Sequence, residues 1–241
     1  MFESIIESIK SKAQPYYNKI PAEEVFIGTI IFYVIFSLAF FMADHSNIDV
    51  FANTIMFYNS WIIFCSVVLY LITANVFCCV IIVASFLGSS LAELILGTLY
   101  YPSRMYFLTA YLHHILYSLT MVIVIYYELK LFSVSLISTY IELSAILQSI
   151  KNIWKVKNIW FDITNTAVFF ITRIILWIAI ICICYILHET PGEKYGIHVM
   201  TLFTFAHIFW SYTQIRNLIR RYFSSTKNIC PIQSNIESNN V

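Results

Sequence analysis

The chain has 241 residues, 60% of them hydrophobic and 17% aromatic, with only 11% charged and a formal net charge of +1. Soluble domains carry about 25% charged residues, so a soluble fold is excluded: too few polar residues exist to cover several long apolar runs. No basic stripe interleaved with aromatic residues occurs, which excludes a nucleic-acid partner.

The opening stretch, MFESIIESIKSKAQP, starts acidic and spaces its apolar residues, which argues against a signal peptide. Phe2, Ile5, Ile6 and Ile9 share one helical face, a pattern that fits an interfacial helix and an ordinary soluble cap equally well before Pro15. Residues 1–24 are therefore read as a cytoplasmic interfacial segment. Apolar runs follow at 25–43, 54–73, 76–100, 107–127, 131–150, 161–187 and 197–215. The stretch 54–100 would be roughly 70 Å long as one helix, about twice a bilayer, so it must fold back. The turn is predicted at LITAN, ending at Asn75. From residue 216 the chain is first basic (RNLIRRY) and then polar (IQSNIESNN), which predicts a membrane-surface segment followed by disorder. The six cysteines lack C-x-x-C or zinc-site spacing and are read as apolar fillers, so no metal or other cofactor is expected. The fold class is all-α: a polytopic transmembrane helix bundle over 25–215, with no internal repeat.

Charge distribution leaves one run ambiguous. If all seven cross, the two sides carry five and eight Lys plus Arg, which is little bias. If 131–150 does not cross, one side carries eleven and the other only Arg104 and Lys194, the asymmetry expected of cytoplasmic loops. The same run is the most polar: Ser135, Ser138, Thr139, Glu142 and Ser149 fall within about 100° on a helical wheel. Such a stripe must face protein or water.

Other runs repeat this pattern. Ser89, Ser90, Glu93 and Gly97 share a face, as do Asp162, Asn165 and Thr172, with Arg173 adjacent. In the last run Thr201, Thr204, His207, Ser211 and Gln214 recur at helical spacing. With the adjacent pair His113 and His114 in TAYLHHILYSLT, five runs each carry a polar face, which implies a bundle around a polar or amphipathic cavity. An unpaired charge at mid-membrane costs on the order of 3 kcal/mol, so Arg173 is expected to pair with Glu142 or Glu93. Two consecutive helical residues point about 100° apart, so at least one of His113 and His114 should face the cavity. A neutral imidazole can take up a proton and return it, with a carboxylate holding its tautomer.

In order and spacing these features resemble the TLC-domain family, which includes the ceramide synthases and smaller TLC-domain membrane proteins. The resemblance spans about 50–215 and rests on LGSSLAE ending at Glu93, LHHILYSL with His113 and His114, IELSAILQSIKNIW from Ile141, and NTAVFFITRIILW with Asn165 and Arg173. The chain departs from the family pattern at Glu93, where Asp is usual, and at Ser89, where an aromatic is usual. STYIELS also stands where the synthases carry a His-Asp pair, so the similarity is greater to the smaller members. The resemblance implies a six-helix barrel-like bundle plus an N-terminal helix, about seven membrane helices, residence in the endoplasmic reticulum, and a membrane lipid as partner.

Two function classes lead. The first is lipid binding within the bundle as part of membrane lipid homeostasis, with Glu93, Ser138, Asn165, Arg173 and His207 lining the pocket. The second is a ceramide-synthase-like N-acyltransferase, taking acyl-CoA as partner and a long-chain amine. There His113 or His114 would be the general base and Glu142 would orient the imidazole, with Arg173 or the Lys151, Lys155 and Lys157 loop attracting CoA phosphates. A small-solute transporter is a third reading, opposed by the lack of repeats and of helices broken by Gly or Pro. A di-iron desaturase fails because six histidines are too few for its ligand set.

Overall fold

The computed structural model describes residues 2–42, 48–102, 105 and 111–222; within these, the side chains of 2, 48–52, 113, 124, 138, 140 and 141 are not described. Among the described residues every regular element is helical. Helix α1 (Phe2–Ala13) leads through a 3-10 turn (Gln14–Tyr16) to α2 (Ala22–Met42) and α3 (Ile48–Thr73). Then come α4 (Val76–Tyr100), α5 (Leu112–Tyr126), α6 (131–153), α7 (Ile159–Leu187) and α8 (Pro191–Tyr222). The described part of each apolar run named from the sequence thus lies on a helix up to Tyr126 in the fourth run, while 43, 106–110 and the polar tail from 223 fall outside the described residues.

Among the described residues, four helical stretches are long and apolar enough to cross a membrane: Ala22–Met42, Asn53–Thr73, Val76–Tyr100 and Ile159–Leu187. Their large exposed apolar side chains, such as Phe26, Ile72, Leu99 and Ile175, form the outer surface, as lipid-facing helices require.

The fold-back falls where the spacing predicts it. Ala74 takes a positive φ of 51° and Asn75 caps α4, its side chain accepting from the Phe77 amide at 2.9 Å. The start of α8 is set by TPGE. Thr190 Oγ1 accepts from the Glu193 amide at 3.2 Å, and the Glu193 carboxylate accepts from the Thr190 amide at 3.2 Å. That is a reciprocal capping box with Pro191 at the first helical position, a local signal that periodicity alone passes over.

Interhelical contacts define two ends of the bundle. At one, Tyr16 donates to the Leu71 carbonyl (2.7 Å), Tyr17 to Glu193 (2.5 Å), and Lys19 pairs with Glu128. At the other, Asp162 binds Lys151, Arg221 (2.7 Å) and Tyr222 (2.7 Å), and Asn152 donates to Asn53 (2.9 Å). Glu193 and Arg221 lie on one helix about 40 Å apart by helical rise, so these clusters are opposite ends. One apolar core, with Ile63, Tyr70, Cys79 and Val83, sits toward the first end; another, with Phe36, Phe40, Leu96 and Tyr101, toward the second.

Helix α2 packs on α4 through glycine. A Cβ at Gly88 would lie 2.7 Å from Phe32 Cβ and 2.8 Å from the Tyr33 amide nitrogen; one at Gly28 would lie 2.8 Å from Ala84 Cβ. Absent side chains let the two backbones approach, as helices in an apolar solvent commonly do.

Candidate functional site

Three helices depart from α geometry at the positions that carry partly buried charge. Helix α4 becomes π-helical over Glu93–Gly97, and α7 does so over Ile171–Leu176, which contains Arg173. Helix α6 is 3-10 over Leu136–Ile141, and Glu142 opens the α-helical part that follows. A π turn adds a residue to the helical circuit and redirects the side chains after it, which is why such turns recur at functional sites.

These departures converge on one cavity of about 340 Å³ inside the bundle. Glu93, His114, Glu142 and Arg173 all line it, together with Asn59 and Ser89. Its apolar wall includes Met56, Phe86, Ala145, Phe169 and Trp210. The cavity is therefore amphipathic, as the polar faces predict.

Within it, His114 Nε2 lies 2.8 Å from Glu93 Oε2, and His114 Nδ1 lies 3.1 Å from Ser90 Oγ. A carboxylate only accepts, so Nε2 carries a proton, while Nδ1 shares its hydrogen bond with the serine hydroxyl. Glu142 accepts from Ser60 at 2.7 Å. Two expectations change as a result. The carboxylate that holds the imidazole is Glu93, one turn from Ser90 on the same helix, and not Glu142. Arg173 forms no ion pair within 4.0 Å with Glu142 or Glu93; its guanidinium stacks over Phe169 (4.7 Å) and Trp210 (5.6 Å) instead. The rings offer a cation–π surface, while Glu93 is already engaged by His114.

The other sequence candidates divide. His113 and Ser138 lie outside the described residues as far as their side chains are concerned. Asn165 is buried but lines a second, smaller cavity of about 150 Å³ with Lys151, Asp162 and Arg221. It donates to Gln148 (2.9 Å), which donates to Asn152 (3.1 Å), so an amide chain continues to Asn53. Gln214 borders both cavities. His207 is fully buried and lines neither cavity; it sits behind the Trp210 wall of the first (5.7 Å between rings), hydrogen-bonded to Tyr117 at 3.0 Å and edge-on to Trp177.

Sequence reasoning missed Asn59 and Ser60. Both are buried in α3, and Asn59 accepts from Ser85 at 2.6 Å. Their signal was available: two adjacent polar residues in the apolar stretch MFYNSWIIF. Comparison with family models, with curated proteins and with solved structures finds no match for this chain.

Proposed function

We propose that the chain is a multi-pass membrane protein of the TLC-domain type that holds a lipid in its helix bundle and takes part in membrane lipid homeostasis in the endoplasmic reticulum. The observation that carries this reading is the amphipathic cavity of about 340 Å³, in which Arg173 faces the interior without a carboxylate partner within 4.0 Å. A partly buried cation retained against its cost is a binding group by default, and apolar walls beside it suit the first part of an acyl chain. This reading has seven crossings, supported by the contacts of 128–133 with the N-terminal segment and of 151 and 221–222 with Asp162 at the opposite end.

Lipid extracted from the purified chain tests the proposal. Stoichiometric lipid is expected from the wild type, with most of it lost on Ala145→Trp, which fills the cavity from a small lining residue. Equal lipid content in both would sink it.

A second reading, acyl transfer from acyl-CoA to a long-chain amine, is favoured by one observation: an imidazole held by a carboxylate on the cavity wall. Both ring nitrogens of His114 are engaged, so the ring has to release Ser90 before it can accept a substrate proton. This favours binding over catalysis. Turnover of acyl-CoA with a sphingoid base or lysolipid, abolished in a His113→Ala/His114→Ala variant, would reverse that order.

A further inference from the structure

The charges lining the cavity are unequally satisfied. Glu93 is taken up by His114 at 2.8 Å. Glu142 accepts one hydrogen bond, from Ser60 at 2.7 Å, although a carboxylate has about four acceptor positions. Arg173 has its Nε buried without a hydrogen-bond partner, and its guanidinium carbon lies over the rings of Phe169 and Trp210. Its remaining donors lie in the guanidinium plane, the geometry that engages a phosphate or carboxylate. The cavity thus presents one cation and one under-satisfied anion that do not meet each other within 4.0 Å.

Resting on the lipid-binding reading above, we infer that the cavity receives a zwitterionic headgroup, with its anionic group against Arg173 and its ammonium against Glu142. A purely anionic ligand would satisfy Arg173 but share the cavity with two carboxylates. A cationic one would satisfy Glu142 but face the Arg173 charge, and a neutral one would leave the two with only their mutual attraction across the cavity and no direct partner for either. Only a ligand with both charges, separated as the two side chains are, lowers the energy of each. Asn59, Thr213 and Gln214 supply neutral hydrogen-bonding groups to the same cavity.

The test titrates the purified full chain in detergent with four short-chain probes: dihexanoyl phosphatidylethanolamine, dihexanoyl phosphatidic acid, hexylamine and dihexanoylglycerol. Trp210 fluorescence reads binding, with Trp210→Phe as the signal blank. The wild type is expected to bind the zwitterion about tenfold or more tighter than any other probe. Arg173→Gln should lower zwitterion affinity to that of the amine, and Glu142→Gln to that of the anion. Equal affinity for all four probes in the wild type would overturn the inference and leave lipid binding standing. Zwitterion preference surviving in both variants would also overturn it, and binding of none of the probes would overturn the lipid-binding reading with it.

Discussion

His114 is held from the α4 side of the bundle, its Nε2 lying 2.8 Å from Glu93 Oε2. Each side chain is only 16% exposed, so removing one leaves the other poorly solvated. His114→Ala and Glu93→Gln are each expected to destabilise the chain by about 2 kcal/mol. In the double variant the costs should fall short of additive by about 1 kcal/mol, measured by denaturant unfolding in micelles. Strict additivity would show that the pair is not coupled.

The crossing of α2 and α4 has no room for a side chain at Gly88, where the nearest atoms include the Tyr33 backbone nitrogen. Gly88→Val should cost about 1–3 kcal/mol or prevent accumulation in the membrane. Gly196→Ala, with nothing within 4 Å of the added carbon, should be neutral or slightly stabilising. Thermal unfolding of the two variants side by side checks the contrast.

At the N-terminal end, Glu193 ties α8 to the segment before α2. Burial works against its carboxylate, but the Tyr17 hydroxyl and the amides of Glu189, Thr190 and Leu131 outweigh that and hold its pKa below the ordinary 4.5. A depressed carboxylate stabilises the fold above its unfolded pKa and loses that contribution as pH falls through the folded value. Stability should therefore decline as pH drops below about 4.5. Glu193→Gln should be less stable at neutral pH by about 1 kcal/mol and show a flatter acid response.

Asp162 gathers Lys151 from α6 and Arg221 and Tyr222 from the end of α8. Asp162→Asn removes the charge that holds both cations. Trypsin cleavage at Arg220 and Arg221 should accelerate several-fold in purified protein; an unchanged rate would mean that the cluster does not hold the end of α8 down.

The seven-crossing arrangement proposed above is tested at the same two ends. In a background without reactive native cysteines, a cysteine at Lys155 should be labelled from the same membrane side as one at Arg221. A cysteine at Lys130 should react from the opposite side. Labelling of Lys155 and Lys130 positions from one side would restore the six-crossing arrangement favoured by the count of basic residues.

Much of the site was legible as polar residues at helical spacing on apolar runs. Asp162, Asn165 and Thr172 are all buried, as are Ser89, Ser90 and Gly97. Charge counting, which weighs loops alone, favoured a run at 131–150 that fails to cross. The contacts of Lys19 with Glu128 and of Lys151 with Asp162 put the two ends of α6 at opposite ends of the bundle, while the four described helices long and apolar enough to cross do not include it. Pairing was the least legible feature. A helical wheel assigns a residue to a face, but the π turns at Glu93 and Arg173 and the 3-10 turn before Glu142 break the 100° step on which the wheel depends.

The sequence by itself determined that the chain is helical and apolar on its outside, since backbone groups in lipid must be satisfied within the segment and long apolar runs leave helix as the way to do so. It also determined that several helices turn a polar face inward. Only the tertiary structure decided that Glu93 takes His114 while Arg173 is left to the cavity, because partner choice depends on which faces meet at the same depth, and sequence spacing carries no information across helices.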